Sequence, residues 1–423
     1  MPSLTAFDAA SILIVLAAAL GYLNHRVFRL PASVGLTVMG AVASLLVIGI
    51  DRLLPGAGFS VMMVRFVDSL DFHTTLMDGM LSFLLFAGAL HVDWSEMRRG
   101  RWPILILSTV GVLISTALVG SGFFLLSQVL GLATPLLWCF VFGALISPTD
   151  PVAVMAVLKR ALVPPTLQAT VAGESLFNDG VGVVVFSILV VAAMGTEPFS
   201  LASASLEFVR EAGGGALIGL LAGWVAYRAM RSIDDYNVEV MISLAVVMGG
   251  YSLAHWLHVS GPVAMAVAGL LIGNAGVAHA MSDTTKDYLL KFWALIDEIL
   301  NAVLFLLIGL EVVAIAPDLR LLALGAAAIP LVILARTVAV GAPLLLLRRA
   351  LDLGPLAMPT LVWGGLRGGI SIALALSLER GELQPILLGA TYVVVLFAVI
   401  VQGGSVGWLI KRLSGGAVAK PVT

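Results

Sequence analysis

The chain has 423 residues, 60% of them hydrophobic and only 11% charged, where an ordinary soluble domain carries about 25% charged residues; the mean hydropathy is +1.08. A formal net charge of −2 leaves no electrostatic footprint for nucleic acid or for a strongly acidic partner. One cysteine, Cys139, excludes an intrachain disulfide, a cysteine metal site and a CxxC redox pair, and its apolar surroundings make it a small core residue.

A bilayer core about 30 Å thick needs roughly 20 mainly apolar residues in helical form, and spans should be separated by charged, Pro-rich or Gly-rich breaks. On that test the chain is an all-α polytopic membrane protein of about 13 transmembrane helices, approximately 8–24, 32–50, 72–92, 102–130, 134–158, 166–194, 206–227, 236–257, 261–276, 287–314, 321–347, 355–378 and 384–410. The first lacks the basic start and small-residue cleavage site of a secretory signal and is expected to be retained. The stretch 59–71, with Arg65, Asp68 and Asp71, is too charged to span and reads as an interfacial piece. Residues 1–415 make a single transmembrane domain, followed by a short cytoplasmic tail, 416–423, with no soluble regulatory domain expected.

Basic residues should collect in alternate loops, on the cytoplasmic side. The loops after odd-numbered segments hold Arg26, Arg29, Arg98, Arg99, Arg101, Lys159, Arg160, Arg228, Arg231, Lys286, Lys291, Arg348, Arg349, Lys411, Arg412 and Lys420, sixteen of the 23 Lys and Arg. The opposite side holds Arg52, Arg65, Arg320 and Arg380, while Arg210, Arg336 and Arg367 lie inside or at the edge of segments. This asymmetry implies an odd number of spans, with the N-terminus outside and the C-terminus cytoplasmic.

The fifth segment contains Ser147-Pro148-Thr149-Asp150-Pro151. Each proline removes a backbone donor and disfavours helix at the residue before it, so the helix breaks there. Broken backbone at membrane depth is tolerated where it is buried in protein or lines a wet cavity. An aspartate at such a break points to an ion site, because a charge there costs a few kcal/mol; Asp150 can at the same time cap the following half-helix.

Glu174-Ser175-Leu176-Phe177-Asn178-Asp179-Gly180 in the sixth segment places four polar residues on one side of an otherwise apolar helix. Glu174 and Asn178 share one stripe, Ser175 and Asp179 the next. Each carboxylate must be paired, protonated or solvated. The division expected is Glu174 paired with Arg367 as a structural clamp and Asp179 left as the exchanging group. A buried carboxylate holds either a proton or a small cation through oxygen ligands, and that competition is the chemistry of an antiporter. Asp150, the carbonyl of Thr149, Ser175 and Asp179 supply hard oxygen ligands suited to Na+ or Li+, with neutral Asn178 holding the broken elements together.

Further along, His255 and His258 near the end of the eighth segment are candidates for pH sensing, but an interfacial role beside Trp256 is the plainer reading, and His73 and His91 have the same standing. Asp297, Glu298, Asn301 and Glu311 in the tenth segment either line an aqueous funnel or mark the membrane boundary. Arg336 in the eleventh is expected to pair with an acid of the tenth. The twelfth segment carries the second break, Gly364-Gly365-Leu366-Arg367-Gly368-Gly369; glycine is poor in helix interiors and allows close backbone approach. Two interrupted helices seven segments apart run oppositely across the membrane, as inverted repeats require.

These residues resemble the monovalent cation:proton antiporters, in the branch of NhaP-type and NHE-type exchangers. The resemblance rests on Thr149-Asp150-Pro151, on Glu174-Ser175-Leu176 with Asn178-Asp179-Gly180, and on Gly364-Gly365 through Arg367-Gly368-Gly369, and covers nearly the whole chain. It implies an NhaA/NhaP-like fold in a homodimer. A six-helix core (approximately 102–194 and 321–410) would move against a dimer domain (approximately 8–92 and 206–314). It also implies one-for-one, electroneutral exchange from the Asn-Asp pair, in a bacterial-type inner or plasma membrane. The pattern departs at the third segment, where many relatives carry a further acid and this chain has Ala87 within FLLFAGAL. K+/H+ exchange is the runner-up. A cation channel would not need a carboxylate that must be protonated before it crosses. An intramembrane enzyme finds no support, with no HExxH, GxSxG, phosphate loop or His/Cys cluster. No cofactor is expected beyond the transported Na+ and H+.

Overall fold

The computed structural model describes residues 6–54, 59, 62–64, 80–158, 163–195, 200–314, 319–346, 353–379 and 381–413. Most of the 59–71 stretch, the start of the third segment (72–79), His73 and the tail after 413 lie outside the described residues. All thirteen expected segments contain helix: α1 (Phe7–Phe28), α2 (Ala32–Leu53), α3 (Leu81–Leu90), α4 (Arg101–Val129), α5a (Leu136–Ile146) with α5b (Val152–Leu158), α6 (Pro165–Ala193), α7 (Ala202–Met230), α8 (Tyr236–Trp256), α9 (Gly261–His279), α10 (Asp283–Leu310), α11 (Leu319–Leu346), α12a (Ala357–Trp363) with α12b (Gly369–Leu376), and α13 (Gln384–Leu413). A short helix, Trp94–Arg99, joins α3 to α4.

Among the described residues nine helices are individually long and apolar enough to cross a bilayer. The other four segments fall short for separate reasons: α3 is described only from its second half, α5 and α12 are split, and the first half of α10 carries Asp283, Lys286, Asp287 and Lys291. The chain is an integral multi-pass membrane protein.

Lipid supplies no hydrophobic drive between helices, so association relies on close backbone approach and interhelical hydrogen bonds. On α7, Gly215, Gly219 and Gly223 recur every four residues, and a Cβ on them would meet, in turn, Ser260 at the cap of α9 and Ala264 and Ala268 within it. The α2–α10 contact sets Gly40 on Gly309. There Thr37 Oγ1 donates to the Phe305 carbonyl at 3.0 Å, and Ser44 Oγ donates to that of Leu310 at 2.8 Å. Trp293 of α10, fully buried, donates from Nε1 to Ser243 Oγ of α8 at 2.9 Å and packs on Phe86 of α3 with ring centroids 4.6 Å apart.

These contacts gather α2, α3 and α7–α10 into one packed set. Helices α4, α5a, α6, α11, α12b and α13 pack on one another in a second. The sets meet where α6 lies against α3, α7 and α9, where α10 touches α12b and α13, and where α2 touches α13 and α5b.

Candidate functional site

Both expected breaks are present, and they cross. Helix α5a ends at Ile146 and α5b begins at Val152; α12a ends at Trp363 and α12b begins at Gly369. The Asp150 N–H donates to the Leu366 carbonyl at 2.9 Å, a single antiparallel bridge between the two irregular stretches. Protein backbone thus satisfies groups that lipid could not. Glycine is required at 368, because a Cβ there would run into the carboxylate of Asp150.

At the end of α5a, carbonyls have no partner in the helix and carry its negative dipole end. Arg367 meets both needs: its Nη1 donates to the carbonyls of Ser147 and, at 2.9 Å, of Pro148. The Nη2 of this buried guanidinium has no protein partner among the described residues, and Arg367 helps to line a cavity of about 10 Å³ with Arg336, Gly365 and Gln402, close to the least volume that holds one water. On the other side of the break, Asp150 Oδ1 accepts from the Val152 N–H at 2.9 Å, capping α5b, while Gly182 of α6 seats against Pro148.

Glu174, 1% exposed, is saturated. Arg336 Nη1 and Nη2 donate to its two oxygens at 2.8 and 2.9 Å, a bidentate pair of the strong kind. Asn178 Nδ2 donates to Oε1 at 2.8 Å, and Thr149 Oγ1 lies 3.5 Å from Oε2. The expected Glu174–Arg367 clamp is therefore corrected: the guanidinium on Glu174 belongs to Arg336, because that of Arg367 is taken by the carbonyls of the α5 break. The same finding corrects the expectation that Arg336 pairs with an acid of the tenth segment.

Asn178 ties α6 to the break from both ends of its amide. Its Oδ1 accepts from the Thr149 N–H at 3.3 Å, and its Nδ2 donates to Thr149 Oγ1 at 2.8 Å. Thr149 Oγ1 also lies 3.1 Å from Ser175 Oγ. Asp179, one turn beyond Ser175, is 7% exposed and has no hydrogen-bond partner among the described residues. Of three carboxyls around the crossover, one is consumed by structure, one caps a half-helix through a single oxygen, and one has no donor. Thr149, Asp150, Ser175, Asn178, Glu174, Asp179, Arg367 and both helix breaks converge as the sequence motifs imply.

Residues elsewhere divide. On α10, Asp297 is half-buried and accepts from Asn301 Nδ2 at 3.1 Å; Glu298 is exposed and Glu311 buried. His255 and His258 are exposed, and His91 is held through Nδ1 on the Ala87 carbonyl at 2.8 Å. Ala87 itself is fully buried. Sequence reasoning missed the partner of Arg336, although a mid-span arginine between Pro330 and Pro343 signals that a buried acid must exist for it.

Residues 13–412 match the model of the family described as sodium/hydrogen exchanger, transmembrane. The chain belongs to the sodium/hydrogen exchanger family. It is 45% identical over 419 residues to the Na(+)/H(+) antiporter NhaP of Pseudomonas aeruginosa, covering 97% of each chain. It is 36% identical to the Na(+)/H(+) antiporter NhaH of Halobacillus dabanensis, over 81% of this chain and 84% of that one. Its fold is that of the sodium proton antiporter MjNhaP1 of Methanocaldococcus jannaschii, with a TM-score of 0.67 at 21% identity over 90% of this chain and 99% of the other. Members of this family are transporters, not enzymes.

Proposed function

We propose that this protein is a secondary active antiporter that exchanges Na+ for H+, one for one, by competition of cation and proton for Asp179 and Asp150. The observation that carries the reading is the buried Asp179 carboxyl, without a donor among the described residues, while Glu174 is paired with Arg336 and Arg367 is held on the carbonyls of the α5 break. An unpaired carboxylate in such a place must be neutralised by a bound proton or a bound cation. The Asp179 and Asp150 carboxylates, the Thr149 carbonyl and the Ser175 hydroxyl form an oxygen set of the hard kind that Na+ and Li+ accept. The relatives named above are Na(+)/H(+) antiporters, which favours Na+ over K+.

Since Glu174 is fixed in its pair with Arg336 and Arg367 is held on backbone carbonyls, Asp150 and Asp179 are the carboxyls between which the exchanged charge is held. One Na+ leaving as one H+ arrives keeps the cycle electroneutral. The core of α4–α6 and α11–α13 moves against α1–α3 and α7–α10 to expose the site alternately, in a homodimer with the N-terminus outside and the C-terminus in the cytoplasm of a bacterial-type inner membrane. The separate packing of the two helix sets supports this division.

The test is a proteoliposome flux assay with a pH dye, comparing Na+, Li+ and K+ for the parent and Asp179→Asn. The parent should dissipate the pH gradient with Na+ and Li+ and show an unchanged rate under a valinomycin-imposed potential. The folded Asp179→Asn variant should show no exchange. Full exchange in that variant would sink the mechanism, and a voltage-dependent rate would sink electroneutrality.

A further inference from the structure

One buried carboxyl takes no part in the crossover. Glu239, in the first turn of α8, is fully buried, and neither of its carboxyl oxygens has a hydrogen-bond partner among the described residues. Ser243, one turn further on, accepts from Trp293 of α10 at 2.9 Å, so the face of α8 that carries Glu239 is the one turned to α10. Thr285, Leu289 and Trp293, all buried and four residues apart, form the answering face of α10. The backbone donors at the two helix starts already have partners. Asp235 Oδ1 accepts from the N–H groups of Asn237 at 2.9 Å and Val238 at 3.3 Å, and the Glu239 N–H donates to the Asp235 carbonyl at 2.9 Å. Ser282 Oγ accepts from the Thr285 N–H at 3.4 Å and donates to Asp234 Oδ1 at 2.8 Å.

We propose that Glu239 binds a proton that is not exchanged, and that this proton holds α8 against α10. A buried carboxylate with neither a donor nor a counter-charge is too costly to keep ionised, and the positive ends of two helices offset much less than that cost. In the turn before α8 stand Asp234 and Asp235, exposed acids that oppose a further negative charge. At the same end of the helices packed on α8 stand His91 after α3, Arg228 and Arg231 at the end of α7, His279 of α9, and Asp283 and Lys286 of α10. All of these are exposed, and none donates to Glu239. A proton needs no space, whereas a metal cation needs room for several oxygen ligands, and Glu239 has no exposed surface. The neutral carboxyl packs within the α8–α10 contact; an ionised one would draw water into it and part the two helices. This site stands apart from the exchange reading of Asp179 and Asp150.

Glu239→Gln keeps the shape of the protonated side chain and cannot ionise, so thermal unfolding of the detergent-purified parent and this variant across pH tests the proposal. The unfolded chain releases the Glu239 proton above about pH 4.3, while the folded one keeps it. The parent should therefore lose stability relative to Glu239→Gln as pH rises, by up to about tenfold in the unfolding equilibrium for each pH unit, which is about 1–3 °C in the midpoint. The two should coincide near pH 4, and Glu239→Gln should exchange Na+ at the parental rate near neutral pH. If Glu239→Gln does not fold, Glu239→Leu replaces it, with the same expectation. Midpoints that run parallel at every pH would overturn the proposal, as would loss of exchange in the folded variant. A parental midpoint raised by Na+ or K+ where that of the variant is not would also overturn it, since a cation would then occupy the site.

Discussion

Replacing Arg336 with methionine keeps most of the buried stem and removes the guanidinium. Glu174 and Arg336 are 1% and 5% exposed, so Glu174 is left with Asn178 Nδ2 at 2.8 Å and Thr149 Oγ1 at 3.5 Å, and the Leu361 carbonyl loses the Arg336 Nε donor at 3.1 Å. Two hydrogen bonds to charged groups at about 1.5–3 kcal/mol each agree with the roughly 3–5 kcal/mol measured when one partner of a buried pair is removed. The expected loss is therefore about 3–5 kcal/mol. Unfolding by SDS in mixed micelles, run on Arg336→Met, Glu174→Gln and the double variant, reads the coupling between the two positions. Because the double variant leaves neither charge stranded, its loss should fall short of the sum of the single losses by about 2–3 kcal/mol, near the upper end for contacting residues. The same cycle with Arg367→Met and Glu174→Gln should be additive to within about 1 kcal/mol. A stronger coupling of Glu174 to Arg367 than to Arg336 would refute the pairing.

Asn178→Ala should cost about 2–4 kcal/mol in the same unfolding assay, since it strands the Thr149 N–H and withdraws donors from Thr149 Oγ1 and Glu174; a variant as stable as the parent would mean that Asn178 does not tie the break to α6. Gly219→Leu sets a branched side chain where α7 meets the Ala264 backbone of α9, and should lower the thermal denaturation midpoint of the detergent-purified protein, while Gly213→Ala, which meets open space, should not lower it, since alanine favours the helix.

Several features of this protein are local, and local features are legible in a sequence. Pro148 and Pro151 abolish helix continuity wherever they stand, so the break in α5 follows from their chemistry. The four glycines around Arg367 do the same for α12. The common face of Glu174, Ser175, Asn178 and Asp179 follows from helical periodicity. The number of spans follows from the thickness of a bilayer and the cost of charge within it. Segment ends drift by several residues, as at α7, which extends beyond the expected 206–227 at both ends, because a helix can continue past the hydrocarbon region and its apolar run marks only the buried part.

Partnerships between helices were not legible. Glu174 and Arg336 are 162 positions apart, and nothing in either segment says which of two intramembrane arginines lies opposite the acid. That choice depends on where α11 and α12 stand around α6, set by contacts such as Gly182 on Pro148 and by the carbonyls of Ser147 and Pro148 claiming Arg367. Likewise the sequence could not place the acids of α10 relative to the broken helices, since that depends on the rotation of α10, fixed by contacts such as Leu304 on Gly369. Composition, hydropathy and motif by themselves determined a multi-pass membrane chain with two broken helices and an acid-bearing third. The tertiary structure decided which charge each acid meets, because a charge buried in a membrane protein is governed by its nearest opposite neighbour, and that neighbour comes from another helix.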